Sequence, residues 1–306
     1  MMKGIAGRPL GERTRATLAV AGGAAIIGLA PVGMRLSELG PMATGFWRFA
    51  FALPVLWAVS RALAAPAPTR NDGRLMVVAG LLFAMDLLLW HAALGYTTVA
   101  NATLFSNMTP VIAAAAGWLL FKERLGAPWF VGAALAVLGA VAMSYGRAQQ
   151  GQGALIGDLL GIASMVWYAA YLVMMRGVRD RVTASTAMLV TTAAAMAGAA
   201  VATVVMGEPF LPAQNTWAAW GVLIFLGVFV HSCGQGFIAY GLGKLPIALS
   251  TILLFVQPVA AAAFGWVLFD EPLGAVGLGG AALILVGVFI VQRGRQGASS
   301  GTHTPS

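Results

Sequence analysis

The sequence predicts an all-α integral membrane protein of ten transmembrane helices, built as two inverted five-helix repeats with both termini in the cytoplasm. Three observations carry that prediction. Ten apolar runs follow one another along the chain, each near the ~20 residues that span ~30 Å of hydrocarbon. The segment from Asn107 to Arg147 returns 148 residues later, and 20 of the 38 residues from Pro110 to Arg147 are identical in the second copy without a gap. Lys and Arg fall almost entirely in alternate loops, which sets orientation.

Composition bounds the class. Of 306 residues, 59% are hydrophobic and only 9% charged, which excludes a soluble globule with an ordinary charged surface. Ala and Gly dominate the apolar set and suit helices that approach closely in lipid. The single cysteine, Cys233, allows no internal disulfide and reads as a small packing residue. The net charge of +8 comes from short basic groups at the ends of apolar runs, a topology signal that excludes nucleic acid as a partner.

Taken in order, the runs cover residues 16–35, 42–62, 74–95, 99–121, 126–146, 156–176, 184–206, 217–240, 247–269 and 274–292. The first follows Lys3, Arg8, Arg13 and Arg15 and could imitate a signal peptide, but nine further runs make it an uncleaved helix. With the N-terminus inside, fifteen Lys and Arg lie in cytoplasmic loops and two, Arg35 and Arg147, outside, while Arg48 lies within a helix. Two five-helix copies must then have opposite orientations, since five is odd. Accordingly the loop Lys122-Glu123-Arg124 becomes Asp270-Glu271-Pro272 in the second copy and loses both basic residues. A weaker echo lays residues 18–35 over 159–176. The repeats are expected at 1–150 and 151–306, joined by a Gln/Gly linker at 148–153 and followed by a disordered tail at 297–306.

The motifs Pro41 through Trp47-Arg48-Phe49, Asn107-Met108-Thr109-Pro110 through Trp118 and Glu123-Arg124-Leu125-Gly126, and Gln257-Pro258 through Trp266 and Glu271-Pro272-Leu273-Gly274 carry a family resemblance. The chain resembles the EamA family of the drug/metabolite transporter superfamily over nearly all of residues 15–293, with amino-acid exporters of the YddG kind nearest in layout. The resemblance implies a bacterial inner-membrane efflux transporter of small metabolites, with amino acids, aromatic ones included, as first substrates.

Proline-interrupted helices in matching positions of two inverted halves point to a transporter's midplane binding site. Pro110 and Pro258 each lie ~16 Å into a run, where each removes a backbone donor and leaves a carbonyl four residues back without its usual partner. Both helices are expected to bend there and line the central space. Asn107 and Gln257 stand beside the kinks and suit a zwitterionic ligand, although simple interhelical bonding accounts for them equally. Asp86 is the only carboxylate well inside a span, a functional hypothesis by default; the competing role is a structural partner for Arg48. Trp90, one turn on, shares its face. His231, with Gln235 a turn later, is either a buried neutral histidine bonded to a neighbouring helix or a pH-sensitive cavity group. Asp86 and His231 are the candidate proton sites. Trp167, Tyr168 and Tyr171 are expected to supply the aromatic wall of a substrate pocket.

The remaining candidates have plainer roles. His91 lies near an external helix end and Asn101 at an interface. Trp47, Trp57, Trp118, Trp129, Trp217, Trp220 and Trp266 sit near helix ends, where headgroup anchoring is the default. Glu123 and Glu271 lie on opposite sides of the membrane, so they cannot form a catalytic pair and fit capping. Gly132, Gly139 and Gly146, with Gly280, Gly287 and Gly294, form packing stripes, within a monomer or across a homodimer. No catalytic, metal or cofactor motif appears, nor a phosphate-binding loop, so the expectation is a secondary transporter without cofactor and not an enzyme. Its partners are a small-molecule substrate and membrane lipid.

Overall fold

A computed structural model describes residues 11–94, 96, 99–123, 125–145, 155–214, 216–270 and 274–300. All regular structure among them is helical: α1 (Glu12–Ile27), α2 (Ala30–Leu36), α3 (Pro41–Ala62), α4 (Arg70–Leu94), α5 (Val99–Phe121), α6 (Ala127–Tyr145), α7 (Leu155–Arg179) and α8 (Ala184–Val205) form the first part. Then come α9 (Trp217–Ile224), a π-helical segment (Phe225–Gln235), α10 (Gly236–Leu242), α11 (Ile247–Leu253), α12 (Val256–Phe269) and α13 (Ala275–Ser300).

Each of the ten apolar runs coincides with helix. Eight helical stretches among the described residues are long and apolar enough to cross a membrane, and two shorter apolar helices, Asn107–Phe121 and Ala127–Met143, accompany them. Three runs are interrupted. The first is interrupted at Gly28 and Leu29, and a Cβ on Gly28 would come within 2.8 Å of the Ala260 side chain. The eighth passes through the π segment, and the ninth stops between Leu253 and Val256. The last helix continues to Ser300, so residues 297–300, expected to be disordered, are helical. Arg124, the Glu271-Pro272-Leu273 loop, the 148–153 linker and residues 301–306 lie outside the described residues.

Packing follows an exchange rule. α4 lies on α7, and α1 lies on the π segment and α10; α5 lies on α7, and α1 on α12; α3 packs on α8, and α6 on α13. Swapping each helix for its counterpart in the other half reproduces the same set of contacts. The glycine stripes show this at atomic scale. A Cβ on Gly132 would strike the Gly287 carbonyl, and one on Gly280 would lie 2.6 Å from the Gly139 carbonyl. Gly132 and Gly280 are equivalent residues of the two copies, as are Gly139 and Gly287, so residue i meets j′ while j meets i′. That self-complementary pattern is what a two-fold axis produces, and the falling partner number makes α6 and α13 antiparallel. The stripe is therefore an internal seam. Lys122 and its equivalent Asp270 both adopt φ 53°, and the equivalent Trp118 and Trp266 are 55% and 56% exposed.

Interior tryptophans depart from the anchoring expectation. Trp129 is buried and its Nε1 donates to the Ala248 carbonyl at 3.1 Å, while Trp47 Nε1 donates to the Phe210 carbonyl at 2.5 Å. Both lie near helix ends but on inward faces, a distinction that position along a helix does not make.

Candidate functional site

Two groups of polar and aromatic side chains meet inside the bundle, and Tyr168 of α7 belongs to both. The first surrounds the prolines. Asn107, Thr109 and Pro110 of α5, Tyr168, and Leu254, Phe255 and Gln257 at the break between α11 and α12 enclose a cavity of about 20 Å³, room for about one water molecule. The two positions that sequence placed beside the kinks, Asn107 and Gln257, are thus brought to one spot. Thr109 Oγ1 is buried there with no hydrogen-bond partner among the described residues. A larger concavity of about 550 Å³ lies along the start of α4, open on one side and walled by Pro68, Val77 and Val78, far from this chemistry.

The two prolines sit in different backbone settings. Helix α5 runs unbroken through Pro110. The ninth run does break ahead of Pro258, and its backbone is satisfied locally: Leu254 N–H donates to Thr251, Phe255 N–H to Ile252, and Gln257 N–H to the Leu254 carbonyl at 2.9 Å. That last carbonyl is the one Pro258 cannot serve, so the tight turn absorbs the missing donor.

The second group lies one layer away, on α3, α4, α7, α8 and the π segment. Phe83 stacks on Tyr171 with ring centroids 4.9 Å apart, Tyr171 stacks on Tyr168 at 5.8 Å, and His231 meets Phe49 edge to face at 5.1 Å. His231 is 1% exposed, its Nε2 lies 2.9 Å from Thr192 Oγ1 on α8, and its Nδ1 has no partner among the described residues. Gln235, a turn later, is buried with Oε1 also unpartnered. The π segment accounts for the crowding of polar groups. Its wider turn brings His231, Ser232 and Gln235 all inward, and Ser232 Oγ donates to the Gly227 carbonyl five residues back at 3.0 Å. Such segments gather at functional sites.

Asp86 is held by Ser164, whose hydroxyl donates to its Oδ1 at 2.6 Å. No ion pair joins it to Arg48 among the described residues, so the structural pairing weighed from sequence is not formed. Trp90 follows Asp86 by one turn and is partly buried. Trp167 is the residue that stands apart: it is 37% exposed and takes no part in the ring stack, which uses Tyr168 and Tyr171 instead. A spacing of three brings those two over one another. The side chains of His91 and Asn101 lie outside the described residues.

Sequence reasoning did not single out Ser164, Thr192, Thr109, Phe49 or Phe83. The Thr191-Thr192 pair within an otherwise apolar run was a usable signal; Phe49 and Phe83 carried none, being ordinary apolar residues on apolar helices.

Glu123 has a structural role. Its Oε1 and Oε2 accept from the Ile247 and Ala248 backbone N–H groups at 2.6 and 3.0 Å, capping the start of α11. The loop of one copy thereby holds the helix of the other.

Comparison with known proteins gives a consistent result. The sequence pattern of the EamA-like transporter family matches twice, over residues 14–145 and 155–293. The uncharacterized transporter YetK of Bacillus subtilis is 24% identical over 233 residues, 74% of this chain and 69% of that protein. The pseudopaline exporter CntI of Pseudomonas aeruginosa is 23% identical over 256 residues, 82% of this chain and 86% of that protein. A solved crystal structure superposes with a TM-score of 0.79 at 19% identity, covering 90% of this chain and 98% of its own, and shares the fold.

Proposed function

The chain belongs to the EamA-like transporter family, a family of multi-pass membrane transporters and not of enzymes, and we propose that it exports small organic metabolites, amino acids first, across a bacterial inner membrane. In this reading residues 1–150 and 151–306 are inverted five-helix halves, ten spans in all, that rock against one another about a central site. Both termini are cytoplasmic, and the fifteen-to-two distribution of basic residues supports that orientation. The exchanged glycine contacts of α6 and α13 and the matched φ of Lys122 and Asp270 support the inversion.

The observation that carries the proposal is the convergence of Asn107, Thr109 and Pro110 from the first copy with Phe255 and Gln257, the equivalents of Asn107 and Thr109, from the second on one polar cavity with Tyr168. Amide groups at the midpoint of apolar helices have donors and acceptors to offer a polar solute. The cavity of about 20 Å³ has room for about one water molecule. Tyr171, Trp90, His231 and Gln235 form the next layer of the proposed site; Asp86 and His231 are its proton-exchange candidates. Export, and a metabolite cargo, gain support from the likeness to the pseudopaline exporter.

The test is flux of labelled amino acids from proteoliposomes holding the purified full chain, with and without a pH gradient. The expected result is movement of at least one amino acid, chemically unchanged, and loss of about 10-fold or more in Asp86→Asn, an amount that one charge-assisted contact supplies, with the folded yield preserved. No movement of any amino acid overturns that cargo class, and loss of folded Asp86→Asn protein makes the aspartate structural.

A further inference from the structure

Arg48 is the one basic residue placed well inside a predicted span and away from its ends, seven residues or ~10 Å into α3, and the structure buries it to 7% exposure. The described ion pairs are Arg176 with Asp180, Arg181 with Asp72, and Lys244 with Glu12, all at helix ends; none includes Arg48. No described residue accepts a hydrogen bond from it, and its Nε is fully covered without a partner. Asp86 is engaged by Ser164 instead. A buried cation without a counter-ion is costly, and inside a membrane more so.

The surroundings show that the position is built, not accidental. Gly227 of the π segment lets that backbone press onto α3 at this residue: a Cβ there would lie 2.7 Å from the Arg48 carbonyl. One turn on, His231 packs its ring on Phe49, the residue after Arg48. The guanidinium lies within electrostatic reach of Tyr168, Tyr171 and His231, and Tyr168 in turn feels both Arg48 and Asp86. Tyr168 also lines the proline cavity. Tyr168, shared by both groups of the site, thus lies within electrostatic range of a buried cation and of a carboxylate.

We propose that Arg48 is the anion-binding residue of the central site, holding the carboxylate of the transported molecule through its planar guanidinium fork. The proposal rests on the transport reading and narrows its substrate class to carboxylates, amino acids included. Carboxylate geometry matches guanidinium with two parallel hydrogen bonds, which an ammonium group cannot reproduce. Substrate would supply the counter-charge that the protein omits.

Two measurements on the purified full chain in detergent test this. The first needs no ligand: thermal melting of Arg48→Gln. A residue kept for substrate and not for the fold predicts a midpoint equal to or above wild type, because a desolvated charge is removed; a fall of several degrees, with Arg48→Lys falling less, overturns the proposal. The second titrates L-phenylalanine, L-phenylalaninamide, phenethylamine and 3-phenylpropanoate as stabilisers. The two carboxylates are expected to raise the midpoint of wild type and the amide and amine are not; Arg48→Gln is expected to lose about 10-fold or more in affinity for the carboxylates, with Arg48→Lys between. An amide as effective as its acid, carboxylate binding unchanged in Arg48→Gln, or no carboxylate effect on wild type overturns it. Arg48-dependent binding of 3-phenylpropanoate without amino-acid flux rejects amino-acid export and keeps this role; undiminished flux in Arg48→Gln does the reverse.

Discussion

In the first copy of the duplicated hairpin the helix runs unbroken through Pro110, from Val99 to Phe121, whereas in the second the helix stops at Leu253 and resumes at Val256, two residues before Pro258. Both copies lack the same backbone donor. What differs is the response. In the second copy the chain tightens and the Leu254 carbonyl takes the Gln257 N–H; in the first the helix is continuous. A proline therefore permits a break in a membrane helix without dictating one, and the surrounding packing decides. The second copy is also the one whose start is clamped, by Glu123 from the opposite half. Where the copies do agree, at the α6 and α13 glycines and the Lys122 and Asp270 turns, the agreement marks the pseudo-two-fold seam.

The largest effect should come from filling that seam. Gly139→Leu and Gly287→Leu place a side chain against facing backbone, and each is expected to destabilise by about 3 kcal/mol or more, read as lost folded yield in size-exclusion profiles. Because the two are equivalent, their losses should match; a large difference would break the symmetry argument.

Next come the prolines. Pro110→Ala restores a donor inside a continuous helix and is expected to stabilise by about 1–3 kcal/mol, while Pro258→Ala, whose break is already satisfied, gains less. Thermal melts of the two variants side by side sharpen the contrast, and equal gains would show that the broken and unbroken helices differ less than their geometry suggests. Pro258→Ala should cost more flux, since it removes the feature that keeps the break open.

The smallest effect is at the cap. Glu123→Ala leaves two backbone donors at the start of α11 without acceptors and should cost about 1–2 kcal/mol, with Glu123→Gln recovering part of it, measured by the same melts.

Much of the fold was legible in the sequence because lipid makes the signal strong: a span needs an unbroken apolar run, and every one of the ten runs became helix. Breaks within runs were less legible. Gly28 and the π segment depend on what packs beside them, and no residue between Phe225 and Gln235 announces a wider turn. At the candidate site, Asn107 and Gln257 were legible as polar residues next to prolines in duplicated positions. Trp167 is 37% exposed and outside the ring stack that Tyr171, four residues on, joins, a difference in depth that i and i+4 spacing does not register. Arg48 was legible in the sequence as a basic residue within a helix, as part of a family motif and as Asp86's alternative partner; its isolation is a tertiary fact, since Ser164 on another helix engages Asp86.

Inversion of the two copies is the claim on which the rest depends, and Lys122 and Asp270 test it most directly. These equivalent turn residues can each be replaced by cysteine in a Cys233→Ser background and exposed to a membrane-impermeant thiol reagent in sealed vesicles of known orientation. The account predicts labelling of the cysteine at 122 from the cytoplasmic side alone and of that at 270 from the opposite side alone. Labelling of both from one side would contradict it.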